Sequence, residues 1–206
     1  MQESKMSSAA DRILDATVEV AALYGLSKLS MSDVASRAGI SRPTLYKYFS
    51  SKDDLVAATV SREAMLLVGR VIDEASRHDD PTDALRFAIV TALELTREHP
   101  LLDRIIRTEP ELLLPYLTTE AVPGGGVGAG SPVLTFVRAA AESIITQRLG
   151  DELDEVTIRR VADMVGRLLV SYAISAPDDP PEVVADVIAK VFVEGALATS
   201  TKETAP

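Results

Sequence analysis

The sequence predicts an all-α protein: a small N-terminal three-helix head followed by a larger helical body. Apolar residues recur at helical spacing along almost the whole chain, and serines followed three residues later by an acid mark helix starts. Alternating patterns are scarce, and aromatic residues, which favour strands, form only 4% of the chain. A length of 206 residues suffices to bury a real core without staples.

The first helix is expected from Ala9 to Tyr24, with Ile13, Thr17, Val20, Ala21 and Tyr24 on one face and Gly25 as its stop. Ser30 caps a short helix through Ala38, Asp33 is the reciprocal partner of a capping box, and Gly39 supplies the left-handed residue that ends it. Ser41 caps the next, through about Tyr48, where Pro43 is tolerated because first-turn amides have no helical partner. Ser50 or Ser51, with Asp53 or Asp54, opens a long helix towards Ser76. Further helices are expected at 82–98, as two short pieces within 101–117, and at 133–148, 154–175 and 181–198. Thr118 to Pro132, which holds Gly124, Gly125, Gly126, Gly128 and Gly130, reads as a loop that either admits a ligand or is a tolerated insertion.

The two final helices carry apolar stripes, Val161, Ala162, Val165, Leu168, Leu169 and Tyr172, then Val184, Val187, Ile188, Val191, Phe192 and Gly195. They pack either within their own domain or across a two-fold axis, so a homodimer through about 154–198 is one expectation.

The formal net charge of -10 speaks at first against a partner made of phosphates, but it is unevenly placed. Residues 1–60 hold seven Lys/Arg and seven Asp/Glu, so the whole acidic excess follows residue 60. No cysteine is present, which removes disulfides and thiolate chemistry. The two histidines, His78 and His99, lack His-Glu-x-x-His spacing, and Gly124–Gly130 is not followed by the Gly-Lys-Ser/Thr of a phosphate loop. Neither catalysis, a metal nor a cofactor is expected. Met1 to Ala10 are polar and later apolar runs are interrupted by charges, so a cytoplasmic protein without membrane association is the expectation.

The informative stretch runs from Leu29 to Phe49. Val34, Ala35 and Ala38 form one apolar side, Ile40 points inward, Leu45 and Phe49 give the second helix a buried face, and Gly39 permits a three-residue turn. These are the mechanical needs of a helix-turn-helix. Such a second helix reads the major groove with its N-terminal residues. Arg42 and Thr44 then face base edges, Arg42 preferring guanine, and Pro43 offers an apolar contact to a thymine methyl. Ser41 is a cap first. Lys47 is placed for backbone phosphate, as are Ser30 and Lys52 at the mouths of neighbouring helices. Tyr46 and Tyr48 either hold phosphates with their hydroxyls or cover the head's core with their rings.

From Ile13 to Leu55 the chain resembles the DNA-binding head of TetR-family transcriptional regulators. The resemblance rests on Ile13-Leu14-Asp15-Ala16, Tyr24-Gly25, Val34-Ala35-x-x-Ala38-Gly39-Ile40-Ser41 and Thr44-Leu45-Tyr46-x-Tyr48-Phe49-x-Ser51-Lys52-x-x-Leu55. Ser30 stands where members usually have Thr, Ala21 where an aromatic is frequent, and Pro43 where Gly or Ala is commoner. The resemblance implies about nine helices, a DNA-binding domain over 8–54 and a ligand-binding and dimerisation domain over 55–200. It also implies a homodimeric, ligand-responsive repressor on a palindromic operator in double-stranded DNA. A ligand-responsive activator, or an interaction module that has lost DNA binding, are the alternatives. A small, mainly hydrophobic effector is expected among Met65, Leu66, Phe87, Val90, Leu93, Leu113, Phe136, Met164, Leu168 and Tyr172, with Arg107, Arg138, Glu94 or His99 as polar anchors.

Overall fold

Short polar side chains set the helix starts of this protein. Its computed structural model describes residues 8–113, 132–175 and 178–203. Helix α1 spans Ala9–Tyr24 and opens on Ser8, whose hydroxyl accepts from the Asp11 amide while the Asp11 carboxylate accepts from the Ser8 amide. That capping box was not among the sequence expectations. Helix α2 (Met31–Arg37), α3 (Arg42–Tyr48) and α4 (Lys52–Ala75) begin on Ser30, Ser41 and Ser51, each accepting an amide from three residues on. At Ser30 the reciprocal half differs from expectation: Asp33 takes the serine hydroxyl proton, at 2.5 Å, instead of the backbone amide.

Helices α5 (Pro81–Glu98) and α6 (Pro100–Thr108) meet at His99, which ends one and caps the other. A single 3-10 turn, Pro110–Leu113, stands where the second short helix was expected to begin. Helices α7 (Pro132–Leu149), α8 (Glu155–Ile174) and α9 (Pro181–Glu203) complete the described chain. Nine α-helices and no strand occur among the described residues. The last helix runs past Ala198, where fraying was expected. The expected glycine-rich loop, 118–132, falls almost wholly outside the described residues.

In the head, α1 packs on α2 and α4, and α2 on α3. Ile13, Ala21, Val34, Leu45 and Leu55 are all fully or almost fully buried there. The same cluster takes in Leu101 and Ile105 from α6, so the head's core is closed by a helix distant in sequence. In the body, α5 packs on α9 and α4, and α7 on α8 and α4. Buried Thr17 and Thr59 return their hydroxyls to the carbonyls four residues earlier, which satisfies them without outside partners.

The terminal stripes divide between two faces. Val184, Ile188 and Val193 are buried against α5 and α8, whereas Val183, Val187 and Val191 are about half exposed or more. On α8, Val161, Ala162 and Val165 are buried, and Val156 and Met164 are exposed.

Because Ile105 is fully buried in the head's core yet lies on α6, Ile105→Ala is expected to destabilise the whole chain by about 2–5 kcal/mol. Denaturant unfolding followed by circular dichroism checks this: one cooperative transition at a lower midpoint is the expected outcome.

Candidate nucleic-acid interface and cavity

Helix α3 is too short to hold itself and is fixed by its contacts. Leu45 is fully buried, Phe49 is half-buried just beyond its end, and Gly39, at φ 68°, turns the chain from α2. The Ile40 amide donates to the Ala35 carbonyl at 3.0 Å, closing that turn. Apart from half-buried Thr44, the rest of α3 faces outward. Arg42, Pro43, Lys47, Tyr46 and Tyr48 are exposed, and neither tyrosine ring covers the core. The exposed Ser41 hydroxyl lies 2.8 Å from that of half-buried Thr44, a bond that leaves each hydroxyl with capacity for a further partner. Half-buried Ser30 is engaged twice with Asp33. Half-buried Lys52 donates through Nζ to the Ser27 carbonyl at 3.1 Å, which holds an ammonium beside the α2 and α4 starts. Of the residues named from sequence, Ser41, Arg42, Pro43, Tyr46, Lys47 and Tyr48 are exposed at or on α3, and Ser30, Thr44 and Lys52 are half-buried.

A cavity of about 160 Å³ lies in the body, enclosed by α4, α5, α6, α7 and α8. Of the expected lining residues, Leu93 is on its wall. Met65, Leu66 and Met164 are exposed instead, and Phe87 stacks on His78 under the Arg86 guanidinium. Val90 and Tyr172 pack on the cluster of α5, α8 and α9, while Leu168 and Phe136 are half-buried off the wall. The side chain of Leu113 lies outside what is described. The wall is made by their neighbours: Ala64, Leu67 and Val68 on α4, Ile89 and Ala92 on α5, Leu112, Val137 on α7, and Val165 and Leu169 on α8.

Among the described lining residues only Glu63 and Thr96 carry polar side chains. Glu63 was missed from sequence, although its place in the stripe Val60, Glu63, Ala64, Leu67, Val71 sets a carboxylate on a buried face. It has partners. His99 Nε2 lies 2.9 Å from one oxygen, and Arg62 Nε and Nη2 donate to the other at 2.9 and 2.6 Å. The His99 Nδ1 lone pair faces the Leu102 amide at 3.4 Å, leaving Nε2 as the donor. Arg62 also reaches α1, donating to the Asp11 carbonyl at 3.1 Å and pairing with Asp15 at 2.8 Å. Burial pushes the Glu63 carboxyl up, but the hydrogen bonds and charges of His99 and Arg62 outweigh it and hold the group below the usual glutamate range. Of the other expected anchors, Arg107 pairs with Asp103, Arg138 lies 3.6 Å from Asp163, and Glu94 is exposed.

Residues 13–59 match the family model for bacterial regulatory proteins of the tetR family. Residues 80–194 match that for the C-terminal domain of the bacterial tetracyclin repressor. The chain belongs to the tetR family of bacterial regulatory proteins. A relative described as an uncharacterized HTH-type transcriptional regulator of Mycobacterium tuberculosis is 33% identical over 163 residues, covering 79% of this chain and 73% of that one. Among solved structures, the TetR family repressor AlkX from a Dietzia species, implicated in biodegradation of n-alkanes, superposes with a TM-score of 0.68. It is 24% identical and covers 91% of this chain and 96% of its own. FadR from Bacillus subtilis, solved in complex with stearoyl-CoA, gives a TM-score of 0.60 at 18% identity, covering 89% and 97%. As a member of the tetR family the chain is a DNA-binding, ligand-binding regulatory protein in general terms. No helix among the described residues is long and apolar enough to cross a membrane.

Since the Glu63 carboxyl is held low in the folded chain, the stability it contributes is present above the ordinary glutamate range and lost as pH falls through its folded value. Glu63→Gln should therefore flatten the acid limb of the stability profile. Unfolding free energies measured from neutral pH down into the acid range check this, and an unchanged acid dependence would count against the assignment.

Proposed function

We propose that this tetR-family regulator is an effector-responsive repressor that binds a palindromic operator as a homodimer. The observation that carries the reading is the anchoring of α3: one side chain, Leu45, is fully buried, while Arg42, Pro43, Tyr46, Lys47 and Tyr48 all face solvent. A helix held this way is free to enter a major groove. Arg42, Pro43 and Thr44 lie in its first turn and are assigned to base edges. Tyr46, Lys47, Tyr48, Ser30 and Lys52 are assigned to phosphates, and Ser41 to the cap that sets the helix.

Two copies are needed to read a palindrome, and the outer face of α9 supports pairing. Val183, Val187 and Val191 recur every fourth residue and stand in water, although the opposite face of the helix is already core. A helix apolar on both faces is one that expects to be covered. Val156 and Met164 of α8 extend the exposed apolar surface. We assign residues 8–54 to DNA binding and 55–200 to ligand and dimer.

The effector follows from the cavity. Its wall is hydrocarbon apart from Glu63 and Thr96, and the Thr96 hydroxyl is already donated to the Ala92 carbonyl at 2.8 Å. An apolar compound or acyl chain suits it, with at most one polar group inside the cavity itself, and the alkane link of AlkX and the stearoyl-CoA bound by FadR support that class. Helix α4 is the lever, since it runs from Lys52 in the head to Ala75 and forms part of the cavity wall on the way. An effector releases DNA only by binding the released form more tightly than the DNA-competent one.

Selection of bound duplexes from a random pool tests the reading directly. The expected product is a palindrome whose half-sites lie about 34 Å apart or a multiple of that; recovery of no enriched sequence in dilute salt would overturn it. On the selected operator, Arg42→Ala should cost about 1–3 kcal/mol and relax base preference at one position, whereas Lys52→Ala should weaken all duplexes alike and lower the salt slope by about one. Val187→Asp with Val191→Asp should give a monomer by light scattering and cut operator affinity by about a hundred-fold or more through loss of the linked second head. Titrating stearoyl-CoA or a long alkane into the complex should dissociate it.

A further inference from the structure

Helix α6 touches both parts of the molecule. Leu101 and Ile105 line the cavity and are also buried in the head's core. Just beyond the helix end, the Glu109 carboxylate accepts the backbone amide of Leu26 at 2.7 Å and that of Ser27 at 3.2 Å, from the loop that joins α1 to α2. The partners are more than eighty residues apart in sequence. Gly25 makes the contact possible: a Cβ there would sit 2.7 Å from a Glu109 oxygen, and its φ of 84° is one that side chains disfavour. The carboxylate therefore grips bare backbone.

The loop it grips has a second holder. Lys52 Nζ donates to the Ser27 carbonyl, so Glu109 takes the amide of the same residue whose carbonyl orients the lysine. Leu26, whose amide makes the shorter bond, is itself on the cavity wall. A continuous path of contacts thus runs from the cavity through α6 and Glu109 to the loop and on to the ammonium at the start of α4. An ammonium has three donors, and Ser27 uses one, which leaves two to meet a phosphate.

We propose that Glu109 is the positioning residue that passes the state of the cavity to Lys52, by clamping the Leu26–Ser27 backbone. The proposal rests on the DNA-binding reading of the head and adds a second route beside α4. In the conformation described the clamp is closed and the lysine is held on the Ser27 carbonyl. An occupant that displaces α6 by a fraction of an ångström lengthens two short hydrogen bonds and frees the loop, because such bonds weaken steeply with distance and angle.

The test is a double-substitution cycle on the selected operator, with the full chain and with Glu109→Ala, Lys52→Ala and both. Each single change is expected to weaken operator binding by about ten-fold, and the pair by little more than either alone, because an unclamped loop no longer aims the lysine. Glu109→Gln, which keeps one acceptor, should give a smaller loss with the same non-additivity and serves if the alanine variant melts. Ala92→Leu, which fills the cavity from α5, should weaken operator binding in the parent chain and change it by less than about two-fold in the Glu109→Ala background. Amide exchange at 26–27 should quicken in the Glu109 and Ala92 variants alike. Losses that simply multiply, an unaltered operator affinity in folded Glu109→Ala, or equal effects of Ala92→Leu in both backgrounds would each overturn the proposal while leaving the DNA-binding reading standing. A parent chain that bound no selected duplex would remove both.

Discussion

Leu101 and Ile105 are each needed in two places, and the rest of the structure depends on their being able to serve both. The head, at fewer than about sixty residues, is of a size whose own core is marginal. It completes its core with one edge of α6, whose side chains also face the cavity. The head's core and the cavity wall share these two side chains directly. Any change in the packing around the void is therefore felt by the head as a change in its own core, since close-packed interiors transmit displacement instead of absorbing it.

Charge supports the same division of labour. The acidic excess lies beyond the head, so a phosphate backbone meets a balanced surface near α3 and a repulsive one elsewhere. Within the head, several carboxylates have partners: Asp33 accepts from Ser30, Asp54 accepts from Ser50, and Glu19 pairs with Arg37. Arg42 and Lys47 have no such partner among the described residues, so their charge is left to act outward.

Local signals were legible and phase was not. Ser30, Ser41 and Ser51 announced three helices to within a residue, because a cap is a contact between near neighbours and is written in a few letters. The all-α fold and the exposed side of α3 followed from the same kind of reading. For the cavity, α6 was missed, Leu93 lies on the wall as named, and elsewhere it is often the next residue that lines it. Leu66 was expected where Leu67 lines the wall, Val90 where Ile89 does, Phe136 where Val137 does, Met164 where Val165 does and Leu168 where Leu169 does. One residue is about 100° of helix. Bulk does not choose the inward side of a helix with two apolar faces: Val137 and Val165 line the wall beside larger Phe136 and Met164, but Leu67 and Leu169 do so beside the equal Leu66 and Leu168. Glu109 gave no local signal, since its partners lie in the backbone of a distant loop.

The outward row of α9 is made of valine alone: Val183, Val187 and Val191. In a helix a β-branched side chain has essentially one χ1 well open to it, so these three are already frozen while still wet. Covering them releases water and takes almost no rotamer freedom away, whereas a row of leucines or methionines would surrender some on contact. The face is therefore a stiff ridge with a fixed relief, and it discriminates by shape: a surface that complements its spacing gains nearly the full benefit of desolvation, and one that does not cannot induce it to adjust.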